Sequence, residues 1–122
     1  MRLIAVAPTK AMREYLNELG LSYEIVKSAD KLSDTFRRHD GFFDGVIAPN
    51  NPPAGVLREI GQNWFVKERE LPIFAYGSRI TCKERFAFVT ADAITTYYRG
   101  NLLEALQEWV KAITTTEKSG AT

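Results

Sequence analysis

The sequence predicts an α/β domain built on a parallel sheet with helices on both faces. Three observations predict it. Short apolar runs alternate with stretches of helical periodicity, turn residues punctuate the junctions, and the first apolar run lacks polar alternation, as a strand buried on both faces should. The 122 residues, 45% hydrophobic and 25% charged, are one domain's length with material for one sizeable core.

Leu3-Ile4-Ala5-Val6-Ala7 is the first strand, stopped by Pro8. Thr9 can cap a helix whose apolar positions are Met12, Tyr15, Leu16 and Leu19, and Gly20 suits its C-terminal end. Ser22 to Lys27 alternates polar and apolar residues, the pattern of an edge or half-exposed strand. Asp30 opens a short helix with Leu32, Thr35 and Phe36 inward and Lys31, Asp34, Arg37 and Arg38 outward. Gly45-Val46-Ile47-Ala48 is the third strand, entered through Phe42-Phe43-Asp44. It closes at Pro49-Asn50-Asn51-Pro52-Pro53, whose paired prolines cannot continue a central strand. Val56, Leu57, Ile60, Trp64 and Phe65 define one helix, with Gly61 as its weak point.

Ile73 to Tyr76 is the fourth strand, ended by Gly77-Ser78. Thr81-Cys82-Lys83-Glu84 has capping-box spacing and begins a helix through Phe86 and Phe88. Ile94-Thr95-Thr96-Tyr97-Tyr98 is β-branched and aromatic, a fifth strand. Asn101, with Glu104 in the next turn, caps a last helix striped with Leu102, Leu106, Trp109, Val110 and Ile113. Residues 1–113 are read as the domain, and 114–122, small and polar, as a flexible tail or truncated linker. Strict alternation with right-handed crossovers leaves few arrangements. The leading one is a flavodoxin-like doubly wound (βα)5 sandwich with strand order 2-1-3-4-5, its polar second strand at an edge.

Composition excludes several functions. With 16 Lys+Arg against 15 Asp+Glu the formal net charge is +1, too balanced for a dedicated nucleic-acid binder. No apolar run approaches the ~18 residues of a membrane span, and the run before Pro8 is too short for a secretory signal. A single Cys forms no internal disulfide and a single His builds no usual metal site, so a cytoplasmic chain without metal or cofactor is expected. No Gly-rich phosphate loop follows the first strand and no nucleophile–base pair is apparent. An enzyme is therefore not expected, and a small flavodoxin-like enzyme is the weakest reading.

In such sheets, sites form beyond the carboxyl ends of the strands. Those ends carry Ala7, Pro8, Thr9 and Lys10, then Pro49, Asn50 and Asn51, then Gly77, Ser78 and Arg79, and finally Tyr97, Tyr98 and Arg99.

Over roughly residues 2 to 113 the pattern resembles the receiver domain of bacterial two-component response regulators. Three segments carry the resemblance: Asp44-Gly45-Val46-Ile47-Ala48 leading into a Pro-containing loop and Gly55, Leu71-Pro72-Ile73, and Ala91-Asp92-Ala93-Ile94. It implies a phosphate-accepting aspartate ending the third strand and an Mg²⁺-holding acidic pair after the first. It also implies a hydroxyl at the fourth strand and a lysine at the fifth. Here those places hold Pro49 (Asn50 beside it), Ala7 and Pro8, Gly77 (or Ser78 with a one-residue slip) and Tyr97. Ala7 and Pro8 offer no hard anionic oxygen for Mg²⁺, and Pro49 has no nucleophile. Ile94 occupies the place of the family's switch aromatic. The expectation is a degenerate member, a pseudo-receiver: a phosphorylation-independent regulatory and protein-interaction domain of a signalling or transcription-regulatory protein.

The resemblance also implies a partner face on the fourth helix, fifth strand and fifth helix. That face would carry Lys83, Arg85, Tyr97, Tyr98, Arg99, Glu104 and Glu108, and would meet a protein partner, an attached output domain or a second copy. The alternative is a sensor of a small ligand or anion near Lys10, Asn50 and Arg79. Elsewhere plain roles are expected. Asp44 precedes its strand at the opposite end from the site, His39 ends a helix, and Cys82 is a semi-buried cysteine. Arg37-Arg38 and Lys67 with Arg69, interleaved with Asp34, Asp40, Glu68 and Glu70, read as solvated helix faces.

Overall fold

The computed structural model describes residues 1–40, 42–77 and 95–120. Its strands are β1 (Arg2–Val6), β2 (Ser22–Val26), β3 (Gly45–Ile47), β4 (Ile73–Tyr76) and β5 (Thr95–Tyr98). They form a parallel 5-stranded sheet in the order β2-β1-β3-β4-β5, the arrangement the alternation predicts. The helices are α1 (Lys10–Glu18), α2 (Leu32–Arg38, entered through a 3-10 turn at Ala29–Lys31), α3 (Ala54–Gln62), α4 (Trp64–Arg69) and α5 (Leu102–Gly120). The helix expected from Thr81, with Cys82 and Ile94, lies outside the described residues.

The helix ends follow local chemistry. Thr9 Oγ1 accepts from the Met12 N–H at 3.2 Å and caps α1. Gly20, at φ 69°, ends it, with the Leu21 N–H donating back to the Leu16 carbonyl at 3.0 Å. Asn101 Oδ1 likewise caps α5 through the Glu104 N–H at 3.0 Å.

Two boundaries differ from the sequence reading. Trp64 and Phe65 do not share a helix with Val56 and Ile60: the chain breaks at Asn63, not at Gly61. Asn63 leaves the helical region at φ −58°, ψ 132°, and its Oδ1 caps α4 through the Phe65 N–H at 3.0 Å. Its Nδ2 donates to Ser33 Oγ on α2, also at 3.0 Å, which ties the break to a distant element. The second difference is α5, which continues to Gly120 where a tail was expected from Thr114. No proline or glycine falls between Thr114 and Ser119, so nothing in the sequence interrupts the helical hydrogen bonds.

Side chains alternate across a strand, so β1 builds two cores. Ile4 and Val6 face Leu32 and Phe36 of α2, Leu57 and Ile60 of α3, and Val66 of α4. Leu3 and Ala5 face Met12 and Leu16 of α1 and Leu106 and Trp109 of α5. β2 lies at the edge, as its alternation predicts, and is exposed at Ser22 and Ile25. Among the described residues no helix is long and apolar enough to cross a membrane.

Candidate functional site

Parallel pairing brings the carboxyl ends of the strands to one rim. Ala5, Ile47, Phe74 and Thr96 lie in register across β1, β3, β4 and β5. Past these residues lie Ala7, two after Ala5, and Pro49, two after Ile47, while Tyr76 and Tyr98 pair at the ends of β4 and β5.

What they offer chemically is narrow. Ala7 is exposed at φ 43°, its N–H donating to the Val26 carbonyl at 2.8 Å. Asn51 at φ 49° donates its N–H to the Tyr76 carbonyl at 2.8 Å. Both residues adopt the left-handed conformation, uncommon outside glycine, as the backbone leaves the sheet. Pro8 and Pro49 are half-buried, and neither side chain carries a polar atom. Gly77 is buried, its N–H donating to the Tyr98 carbonyl at 3.2 Å. Asn50 Oδ1 is buried and has no hydrogen-bond partner among the described residues. Lys10 is 84% exposed and sits 3.9 Å from Glu14, a solvated pair of adjacent helical turns. Ser78, Arg79, Lys83 and Arg85 lie outside the described residues.

Acids are placed elsewhere. Asp44 Oδ2 accepts from the Arg2 N–H at 2.7 Å, at the amino end of β1 and away from the rim. His39 ends α2 near the same place, its Nδ1 accepting from the Arg2 guanidinium at 2.8 Å and its Nε2 lying 3.7 Å from Glu24. Among the described residues no group of three His, Cys, Asp or Glu is arranged to hold a metal ion.

On the expected partner face, Tyr98 is half-buried and stacks on Phe74 with ring centroids 5.2 Å apart. Arg99, Glu104 and Glu108 are exposed. The Tyr76 hydroxyl donates to the Gly100 carbonyl, closing the turn between β5 and α5. Burial, and secondarily the Glu108 charge, raise the Tyr98 phenol above its ordinary pKa. The folded state therefore holds that proton more tightly than the unfolded chain. The associated stability is present below the unfolded value and is lost as pH rises through the folded one. Glu108→Gln is expected to bring Tyr98 part of the way back, since burial persists. Tyrosinate absorbance against pH measures this, and an unmoved titration would deny Glu108 its part.

One feature escaped the sequence reading. A groove of about 640 Å³ runs between β2 and α2, and its walls include Lys27, Lys31, Arg37 and Arg38. Lys27 follows β2, Lys31 lies in the 3-10 turn and the Arg37-Arg38 pair ends α2, so the group as a whole is not one local run. The only sequence signal is that an edge strand ending in Lys27 precedes a helix with cations on its outer face.

No family model matches the sequence, and no curated protein matches it. Solved structures do. The chain is similar to a response regulator receiver domain protein (CheY-like) from Methanospirillum hungatei JF-1, with TM-score 0.69, 16% identity and 97% of each chain covered. It is similar to a putative response regulator from Chloroflexus aurantiacus J-10-fl, with TM-score 0.67 and 16% identity over 91% of this chain and 95% of that one. It is also similar to an orphan response regulator of H. pylori, with TM-score 0.62 and 16% identity over 93% and 95%. The fold is thus receiver-like. What a fold does is decided by its site.

Proposed function

We propose that this receiver-like chain is a pseudo-receiver, a cytoplasmic regulatory domain that acts through protein contacts and not through aspartyl phosphorylation. One observation carries the reading: Pro49 follows β3 and Ala7 follows β1, two adjacent strands, at the places where the receiver resemblance puts a carboxylate nucleophile and a metal-holding acid. Transfer to a carboxylate needs the nucleophile itself and cations to neutralise the charge of the moving group. Mg²⁺ takes hard oxygen ligands, and the methyl of Ala7 and the rings of Pro8 and Pro49 have none. Contacts would fall to the face carrying Tyr98, Arg99, Glu104 and Glu108.

The test is an amide NMR titration with Mg²⁺ and beryllofluoride. The Ala7, Asn50 and Gly77 resonances are expected to stay in place. Saturable shifts at those amides would overturn the proposal. The second reading, an anion or small-ligand sensor, is favoured by the buried Asn50 Oδ1, which has no partner among the described residues. Saturable shifts at Asn50 and Lys10 with inorganic phosphate alone would promote it.

A further inference from the structure

We propose that the open edge of β2 is a docking site for an extended acidic peptide segment of a partner protein, which adds to the sheet as a further strand. β2 ends the strand order, so among the described residues one side of it has no neighbouring strand. The Val26 carbonyl points inward, accepting from the Ala7 N–H at 2.8 Å. Within a strand the N–H and C=O of one residue point the same way and successive residues alternate. Glu24 and Val26 therefore face β1, and Tyr23 and Ile25 turn their N–H and C=O groups to the open edge.

The walls of that edge select charge. On the α2 side the groove carries Lys27, Lys31, Arg37 and Arg38 against one acid, Asp34, which is already 3.6 Å from Arg37. On the α1 side a smaller groove presents Lys10 and Arg13 against Glu14, which pairs with Lys10. Glu24 is drawn aside, 3.6 Å from Arg2 and 3.7 Å from His39. Ile25 lines both grooves and is 50% exposed, an apolar contact at the centre of a basic surface. A chain with alternating acidic and apolar side chains matches this arrangement: its backbone pairs with Tyr23 and Ile25, its acids meet the cations, and its apolar residues cover Ile25. Exposed backbone groups and an exposed isoleucine favour a peptide over nucleic acid, which would use only the cations. Pairing along the edge of β2 does not depend on phosphorylation at the strand-end rim, although Lys10 borders both.

The probe is a fluorescein-labelled synthetic peptide of about six alternating Glu and Val residues, the length of an ordinary strand. Its anisotropy is expected to rise saturably with the full chain, weakening with added salt. The double variant K27E/K31E, whose side chains are exposed, should weaken binding by about tenfold or more. Amide exchange should slow at Tyr23 and Ile25 and stay unchanged at Glu24 and Val26. Absence of saturable binding, or equal binding by the same peptide with Lys for Glu, would overturn the proposal. So would binding without protection at Tyr23 and Ile25, which means charge attraction only. Tighter binding by a labelled single-stranded oligonucleotide would overturn it in favour of nucleic acid.

Discussion

Gly45→Ala will destabilise the domain by about 1–3 kcal/mol, and Trp109→Ala by about 3–5 kcal/mol, through one shared contact. A Cβ added at Gly45 would stand 2.8 Å from Trp109 Cη2, 3.1 Å from Cζ2 and 3.3 Å from Leu3 Cδ2. The first distance is shorter than carbon atoms tolerate, and neither neighbour can yield easily. The indole is 1% exposed, its ring centroid 5.4 Å from that of Phe74, and Gly45 is paired to Leu3 of β1. In a Trp109→Phe background the smaller ring withdraws, so the cost of Gly45→Ala should fall by about 0.5–3 kcal/mol, the range for directly coupled neighbours. Trp109→Phe should itself be cheaper than lost area implies, because it removes a buried indole N–H that has no acceptor among the described residues. Urea unfolding of the wild type, the three single variants and the Gly45→Ala/Trp109→Phe double variant measures all of this. Additive losses would show that the glycine is not there for the tryptophan.

This pair marks where legibility in the sequence stops. Features set within a few residues were legible: Thr9 and Asn101 cap their helices, Gly20 ends α1, and the alternation of Ser22 to Val26 marks an edge. A glycine inside a strand does signal the close approach of something, but nothing near Gly45 in the chain says that it is Trp109. The break at Asn63 is a similar case. Its cap to Phe65 is local, yet its bond to Ser33 crosses from α4 to α2, and only the folded chain shows it.

The candidate site divides along the same line. Which residues follow the strands at the rim is set by strand order, and Ala7 and Pro49 lie just past the neighbouring strands β1 and β3. What each side chain does there was not legible. Lys10 pairs with Glu14 one helical turn along, Tyr98 lies on Phe74, and the Asn50 amide oxygen is buried. The basic groove was missed for a related reason. Arg37 and Arg38 read as a mixed, solvated face, and Arg37 does pair with Asp34. Only the packing of α2 beside β2 adds Lys27 to the same wall.

Phe36→Ala is expected to cost about 3–5 kcal/mol, a large part of the ~5–15 kcal/mol that holds a domain folded, and to lower Tm by roughly 15 °C. α2 has only 7 residues, too few to be helical alone, so its position is set by what it buries. Phe36 is fully buried, stacked on Phe65 at 5.0 Å and 12°, and set edge-on to Phe43 at 5.6 Å and 88°. Phe65 is half-buried, so Phe65→Ala should cost less, and the Phe36–Phe65 pair should show about 0.5–1.5 kcal/mol of coupling beyond area. The consequence reaches the surface, because the same helix presents Arg37 and Arg38 to the β2 groove. In the milder Phe36→Leu variant, amides of Leu32 to Arg38 should exchange faster while those of β1 keep their protection, since local opening precedes global unfolding. Probe-peptide affinity should fall along with that local protection. If instead α2 and β1 lose protection equally, the ring belongs to the global core and does not dock this helix in particular.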